Sequence, residues 1–513
     1  MVSREVAVLL VAVGVAFAGS YRPAVAGEAQ PAGTAVFQVV GHIPDSAEKY
    51  FTVNLRGGTT RAAAAHVVDY FRGFGLEATP TKHSDVIFVH GTYAQAARAA
   101  HTSFARVRVR SEVFTHATVP ESYPPGVAEH ILAATIEEGP SAISAGDEIA
   151  PAGGYSPADI AEYYDIAPLY RAGLNGTGQQ VAILACASIL PSDISAFESA
   201  FGLPANQPTI VPVDGGGTTS NNLEPTGDVE RVIGTAPGVA VTLYVVPNAC
   251  SYGQLADGFA KIASDDATMH FAAVTHSYGA TEDDYAFYNG SQQMAAEHAD
   301  LKTLHKQSTP VFTVSGDWGA SFDSSSQALY DGELTVWYPT SDNEVISVGG
   351  TEAPSVSPKR PQRVEELAWG DSGGGVSVDF KIPPWQKNVP GIASATMRNV
   401  PDIALDSSAE AAYAAVWTSN GKQGNYWFYG TSFAAPTWAG FIALVEQART
   451  AAGKPQLSNL IGDLYRLGAA SRGFTDITEG CNGYYCAAPG YDNVTGLGVL
   501  KGAQLEADLL RAR

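Results

Sequence analysis

"TPVFTVSGD", residues 309–317, is an apolar run rich in β-branched and aromatic residues that stops at a Ser-Gly-Asp turn. Runs this short and this apolar suit strands buried on both faces of a parallel sheet. Four others share the pattern: "QQVAILAC" (179–186), "AVTLYVVP" (240–247), "FAAVTHS" (271–277) and "NEVISVGG" (343–350). Helical stretches separate them, notably Asp228 to Thr235, Tyr252 to Ser264 and Asp283 to Lys306. Repeated strand–helix–strand units imply an α/β fold, a parallel sheet with helices on both faces. Active sites in such sheets lie beyond the carboxyl ends of the strands. Asp317 stands at such an end.

Upstream, residues from about 35 to 120 alternate short strands ("FQVVGHI", "DVIFVHG", "RVRVRSEVF") with a helix ("AAAAHVVDYFRGFG") that ends at a glycine. This reads as a small α+β unit. Residues 133–156 lose all periodicity and fill with Ala, Gly, Pro and Ser, which marks a linker. The first 26 residues place Arg4 before an apolar run from Val6 to Ala18, with small-residue cleavage sites after Ala18 or Ala26, the pattern of a secretory signal. The expected organisation is signal 1–26, small unit 27–132, linker 133–156 and main domain 157–513. No other stretch approaches ~18 apolar residues, so no membrane span is expected.

The chain has 30 Lys plus Arg against 52 Asp plus Glu, a formal charge of -22. Phosphate backbones would be repelled, which argues against nucleic acid. The balance suits work in acid, where protonated carboxylates bring the net charge toward zero. The cysteines are Cys186, Cys250, Cys481 and Cys486. Pairing 481 with 486 and 186 with 250 is the tidiest of three connectivities, with buried free thiols as the alternative.

Ser432, in "YGTSFAAPTWAG" (429–440), is the candidate nucleophile. It opens a helical stretch with Pro436 expected in the first turn, and a helix N-terminus favours a developing alkoxide. Two other segments are decoys. "GDSGGG" (370–375) resembles the serine segment of chymotrypsin-like proteases, whose fold is all-β. "HGT" (90–92) resembles the histidine segment of subtilisins but lies in the small unit.

A serine nucleophile needs a base. His276 is the one credible histidine; His298 and His305, seven apart on one helix, read as a solvated face. At acid pH an imidazole is protonated, so carboxylates are preferred. Glu224 and Asp228 are four apart and share one side of a helix. One can take the Ser432 proton while the other orients it and shares a proton with it. Asp317, desolvated and protonated, could donate to the oxyanion. Pro225 and Gly227 between the two acids weaken that helix, Gly227 by roughly 1 kcal/mol; Glu230 is the fallback acid.

Taken together, these segments resemble the sedolisins, serine-carboxyl peptidases with a subtilisin-like fold and a Ser-Glu-Asp triad. Glu224, Asp228 and Pro237 keep that family's register, "SGD" matches its oxyanion Asp, and "GTSFAAP" its nucleophile. "FTDITEG" and "PGYDNVTGLG" match its calcium segments, which implies one structural Ca2+ held by the side chains of Asp476 and Asp492 and the carbonyls of Ile477, Ala488 and Gly490. The resemblance covers about 155–505 and implies that the small unit is an inhibitory prodomain. The expectation is a secreted, acid-acting peptidase made as a zymogen, acting on protein or peptide substrates. Its prodomain would be released within 135–160 as acid protonates interface carboxylates and weakens binding. The alternatives are a His276-dependent serine hydrolase and a catalytically inactive sedolisin-like binding protein.

Overall fold

Nine strands form the spine of a ten-stranded sheet in the computed structural model, in the order Thr209–Pro212, Ala240–Val245, Gln180–Ala185, Ala273–His276, Val311–Val314, Ile346–Glu352, Ile403–Asp406, Val499–Leu500 and Phe474–Thr475. The first eight run parallel and the last antiparallel, with Leu367–Ala368 pairing off the path against Ile346–Glu352. All five runs expected as buried strands lie in this sheet. The structure describes residues 37–82, 85–144, 148–150, 154–321, 334–354, 366–470 and 472–512. The signal segment 1–26, with its cleavage positions at Ala18 and Ala26, lies outside them.

One helix, Thr431–Ala451, is buried along nearly its whole length and packs on the sheet's central strands. A helix apolar on all sides belongs in a core. Leu223–Thr235 packs against it. Tyr252–Met269 runs a turn beyond its expected end. The stretch 283–306 is two helices, Glu282–Phe287 and Ser291–Lys306, because Asn289 adopts a left-handed conformation (φ 59°) that breaks the helix.

The small unit builds a separate hydrophobic core around Phe51, Val53, Val67, Phe71 and Ile87. Its four-stranded antiparallel sheet runs Glu77–Pro80, Val86–Thr92, Glu48–Leu55, Ile131–Ala134. "RVRVRSEVF" is two strands, Phe104–Val109 and Glu112–Ala117, turning at Arg110 (φ 54°). This unit meets the main domain through polar contacts. Asp257 accepts from Thr52 N (3.0 Å), Thr52 Oγ1 (2.6 Å) and Thr135 Oγ1 (2.5 Å), and Asn54 donates to Asp300 (2.9 Å).

The linker is not structureless. Ile143–Ser144 pairs antiparallel with Tyr278–Thr281, and Glu148–Ile149 with Lys422–Tyr429. Upstream, Ala142 N donates to Cys250 O (2.8 Å). The disulfides Cys186–Cys250 and Cys481–Cys486 are both formed.

Candidate active site

The four candidate catalytic residues come from three elements at the carboxyl edge of the sheet. Glu224 and Asp228 lie on Leu223–Thr235, 1% and 0% exposed. Asp317 follows the strand Val311–Val314, and Ser432 is the second residue of Thr431–Ala451. Pro225 is the third residue of its helix, where the missing N–H is an orphan in any case. The helix therefore forms despite it.

Gly227 has a different reason. A Cβ built there would sit 2.2 Å from Phe433 Cε1 and 3.0 Å from Phe428 Cδ2. Phe433 is the residue after the nucleophile, so the glycine lets the acid-bearing helix approach the serine-bearing one.

Hydrogen bonds connect Asp228 and Asp317 to the first residues of the Ser432 helix. Ser277 Oγ lies 2.9 Å from Asp228 Oδ1 and 3.3 Å from the carbonyl oxygen of Ser432. Thr431 donates to Asp317 Oδ1 from its N–H (2.9 Å) and its hydroxyl (2.5 Å). The helix N-cap is Gly430, which has no side chain to offer, and Asp317 supplies the missing acceptor. Ser432 is fully buried, and its Oγ has no hydrogen-bond partner among the described residues.

Ser277 was missed by sequence reasoning. It sits in "THSYG", where attention fell on His276, and no motif marks it. Pro436, expected in the first turn, is instead the sixth residue of its helix.

His276 is not brought to Ser432. Its Nδ1 lies 3.2 Å from Leu184 O, and its ring packs on Phe259 and Tyr278. Successive strand residues face opposite sides of a sheet, and it is Ser277 that reaches Asp228 and the Ser432 carbonyl. Burial pushes the imidazole down to about 4, so it stays neutral in mild acid. Position, rather than protonation, sets it aside.

Other expectations change. Glu230 accepts from Val416 N (3.2 Å) and sits beside Arg231; burial drives it well up despite that neighbour, and it belongs to the scaffold. His298 and His305 are not simply solvated. They pair with Asp342 (2.8 Å) and Glu344 (2.6 Å), which hold both imidazoles above their ordinary value. Ser372 is buried, accepts from Gly350 N and donates to Val494 O (both 2.9 Å), so "GDSGGG" is packing. His90 stacks on Tyr50 at 4.0 Å.

The candidate metal residues share one loop. Asp476 accepts from Gly490 N (2.8 Å) and Asp492 from Ala488 N (3.1 Å). Asp492 is 3% exposed and accepts from Val494 N (3.0 Å) and Thr495 N (2.8 Å). No three His, Cys, Asp or Glu converge among the described residues, since this set has only two carboxylates. Two carboxylates with carbonyls form an all-oxygen donor set, which fits a hard cation.

The linker strands flank this site. Tyr278–Thr281, which holds Ile143–Ser144, begins directly after Ser277, and Lys422–Tyr429, which holds Glu148–Ile149, ends directly before Gly430.

The family described as "Subtilase family" matches residues 215–464. The chain is 30% identical over 384 residues to kumamolisin from Bacillus sp. strain MN-32, spanning 69% of this chain and 64% of that one. It is 26% identical over 348 residues to tripeptidyl-peptidase 1 from Bos taurus, spanning 63% and 59%. The chain thus spans about three-fifths of the length of these relatives. Its fold is similar to that of Pseudomonas sedolisin complexed with pseudo-iodotyrostatin, with a TM-score of 0.57 and 24% identity over 69% of this chain and 98% of that one.

Proposed function

We propose that this chain, which belongs to the sedolisin family of serine-carboxyl peptidases, hydrolyses peptide bonds in acid and is made as a secreted zymogen. Ser432 attacks the peptide carbonyl. Glu224 takes its proton and later returns it to the leaving amine. Asp228 supports Glu224, and Asp317, protonated, donates a hydrogen bond to the oxyanion. The observation that carries this reading is the buried pair Glu224 and Asp228, packed on the nucleophile's helix and linked to the Ser432 carbonyl through Ser277. The feature that favoured an inactive chain, the Pro225 and Gly227 interruption, has structural reasons and no longer argues against catalysis. The deciding experiment is proteolysis of a denatured protein from pH 2 to 9 with the wild type, Glu224→Gln and Ser432→Ala.

The zymogen reading draws support from the two linker pairings beside the site: Ile143–Ser144 and Glu148–Ile149 pair with the strands that adjoin Ser277 and Gly430. Export follows from the signal pattern at 1–26. Among the described residues no helix is long and apolar enough to cross a membrane.

Acid release of the prodomain needs a different origin from the one expected. Burial raises Asp300 to about 8 and Asp257 well above its ordinary value. A carboxyl raised in the docked state favours docking in acid, and that contribution is lost as pH rises through about 8 for Asp300. Glu138 runs the other way: burial works against its charge, yet Lys49 and Tyr93 hold it low. Asp300→Asn in the full chain should therefore raise the thermal midpoint by several degrees at pH 8 and change it little at pH 4. Equal effects at both pH values would refute this sign.

We also propose that Asp476 and Asp492, with the carbonyls of Ile477, Ala488 and Gly490, hold one structural Ca2+. Such an ion would neutralise the loop's carboxylates and fix the segment that packs on Ser372 through Val494. Asp492→Ala should lower the thermal midpoint in calcium, and a chelator should lower it for the wild type but not for the variant.

A further inference from the structure

Asp317 Oδ1 accepts from the N–H and the hydroxyl of Thr431. With one carboxyl oxygen fixed in this way, the direction of the other follows the backbone on which Asp317 stands. That backbone is the loop leaving the strand Val311–Val314. Its hydrogen bonds run to two segments that take no part in the proposed chemistry.

The first segment is "GDSGGG" (370–375). Gly373 N donates to Gly316 O (2.8 Å), and Gly319 N donates to Asp371 O (2.8 Å). The stretch set aside as a nucleophile therefore backs the loop on both sides of Asp317. The second segment is the turn closed by the disulfide Cys481–Cys486. Ala320 N donates to Asn482 O (2.9 Å). Gly319 permits that approach: its φ is 68°, and a Cβ there would lie 2.6 Å from the Asn482 carbonyl oxygen.

Asn482 is 2% exposed, and its side chain joins the two segments. Nδ2 donates to Ser372 O (2.9 Å), and Oδ1 accepts from Tyr485 N (3.0 Å). Its own N–H donates to Tyr485 O (3.0 Å). A carboxamide supplies a donor and an acceptor on one short stem, and both are used here. Of the four hydrogen bonds on this residue, two shape the disulfide turn, one reaches "GDSGGG" and one reaches the loop of Asp317.

We propose that Asn482 is a positioning residue for the oxyanion group. It holds the Asp317 loop against "GDSGGG", and the Cys481–Cys486 bridge keeps Asn482 in the conformation that does so. An oxyanion donor matters most where charge develops, so its misplacement lowers kcat more than it raises KM. This inference deepens the peptidase reading and rests on it for its kinetic consequence, though not for its structural test.

The kinetic test measures kcat and KM for a fluorogenic peptide in acid. Asn482→Ala should lower kcat about 10–100-fold with KM changed less than about twofold. In an Asp317→Ala background the same substitution should lower kcat less than about twofold, since no carboxyl remains to be placed. The double variant Cys481→Ser/Cys486→Ser should show the same kcat-selective loss and the same dependence on Asp317. A merely structural role would lower the thermal midpoint and leave the losses multiplicative with Asp317→Ala, and that result overturns the proposal. The structural test needs no turnover. In the full chain carrying Ser432→Ala, amide hydrogen exchange is followed by mass spectrometry on peptides covering 316–320. Adding Asn482→Ala should speed exchange there at least about tenfold, while the strand Ala273–His276 keeps its protection. Unchanged exchange at 316–320 overturns the proposal. If Asn482→Ala does not fold, the cysteine double variant carries both tests. If the wild type hydrolyses nothing, the peptidase reading fails by that result alone, and the exchange measurement still decides whether Asn482 holds the loop.

Discussion

Ser432→Ala and Glu224→Gln should each lower acid hydrolysis of a denatured protein on the order of 10⁴-fold or more, because a nucleophile and its base act as one unit. The substitutions are close to isosteric, and both side chains are buried, so retained thermal midpoints would separate loss of chemistry from loss of fold. His276→Gln is the discriminating arm. Its contacts are to Leu184, Phe259 and Tyr278, and it should leave the acidic profile in place. Activity surviving Glu224→Gln but lost in His276→Gln would transfer the base to the imidazole. Activity lost only in Ser432→Ala would keep the nucleophile and remove Glu224 from its role. The Ser432→Ala protein should also accumulate as the uncut precursor, since the linker strands that flank the site then meet no nucleophile.

The parallel strands were legible because burial on both faces demands unbroken apolar runs, and five such runs stand out in the sequence. The strand Glu48–Leu55 was not, because its residues answer to partners far along the chain. Thr52 and Asn54 look like surface positions until Asp257 and Asp300 close over them. Ser432, Asp317 and the acid pair could be singled out as candidates by type and spacing, since each chemistry needs a particular side chain at an element's end. Ser277 was not, because a serine at a strand end has no signature of its own. Its place in the site arises only from contacts with two other elements, Asp228 on one helix and the Ser432 carbonyl on another. His298 and His305 show the same limit: their spacing was visible, while the acids that pair with them, at 342 and 344, lie on a separate segment.

Gly227→Ala is the sharpest test of how the site is assembled, because two principles give opposite signs. Helix propensity alone favours alanine by about 1 kcal/mol. The packing forbids it: a Cβ at 2.2 Å from Phe433 Cε1 is far inside contact distance, and Phe428 closes the other side at 3.0 Å. Phe433 is 0% exposed and stacks on Phe428, so neither ring has solvent to retreat into. Overpacking of this kind costs about 1–3 kcal/mol and outweighs the propensity gain. The expected result is a lower thermal midpoint together with a large loss of activity, since the strain falls between Asp228 and the residue next to Ser432. A second substitution separates strain from other causes. Phe433→Leu removes the ring that the new methyl group meets, so the double variant Gly227→Ala/Phe433→Leu should be less destabilised than the two single effects sum to. Additive losses would mean that the glycine is required for some reason other than this contact. A Gly227→Ala protein as stable and active as the wild type would show that the two helices have room to part, and that the proximity of the acid pair to the nucleophile does not depend on a missing side chain.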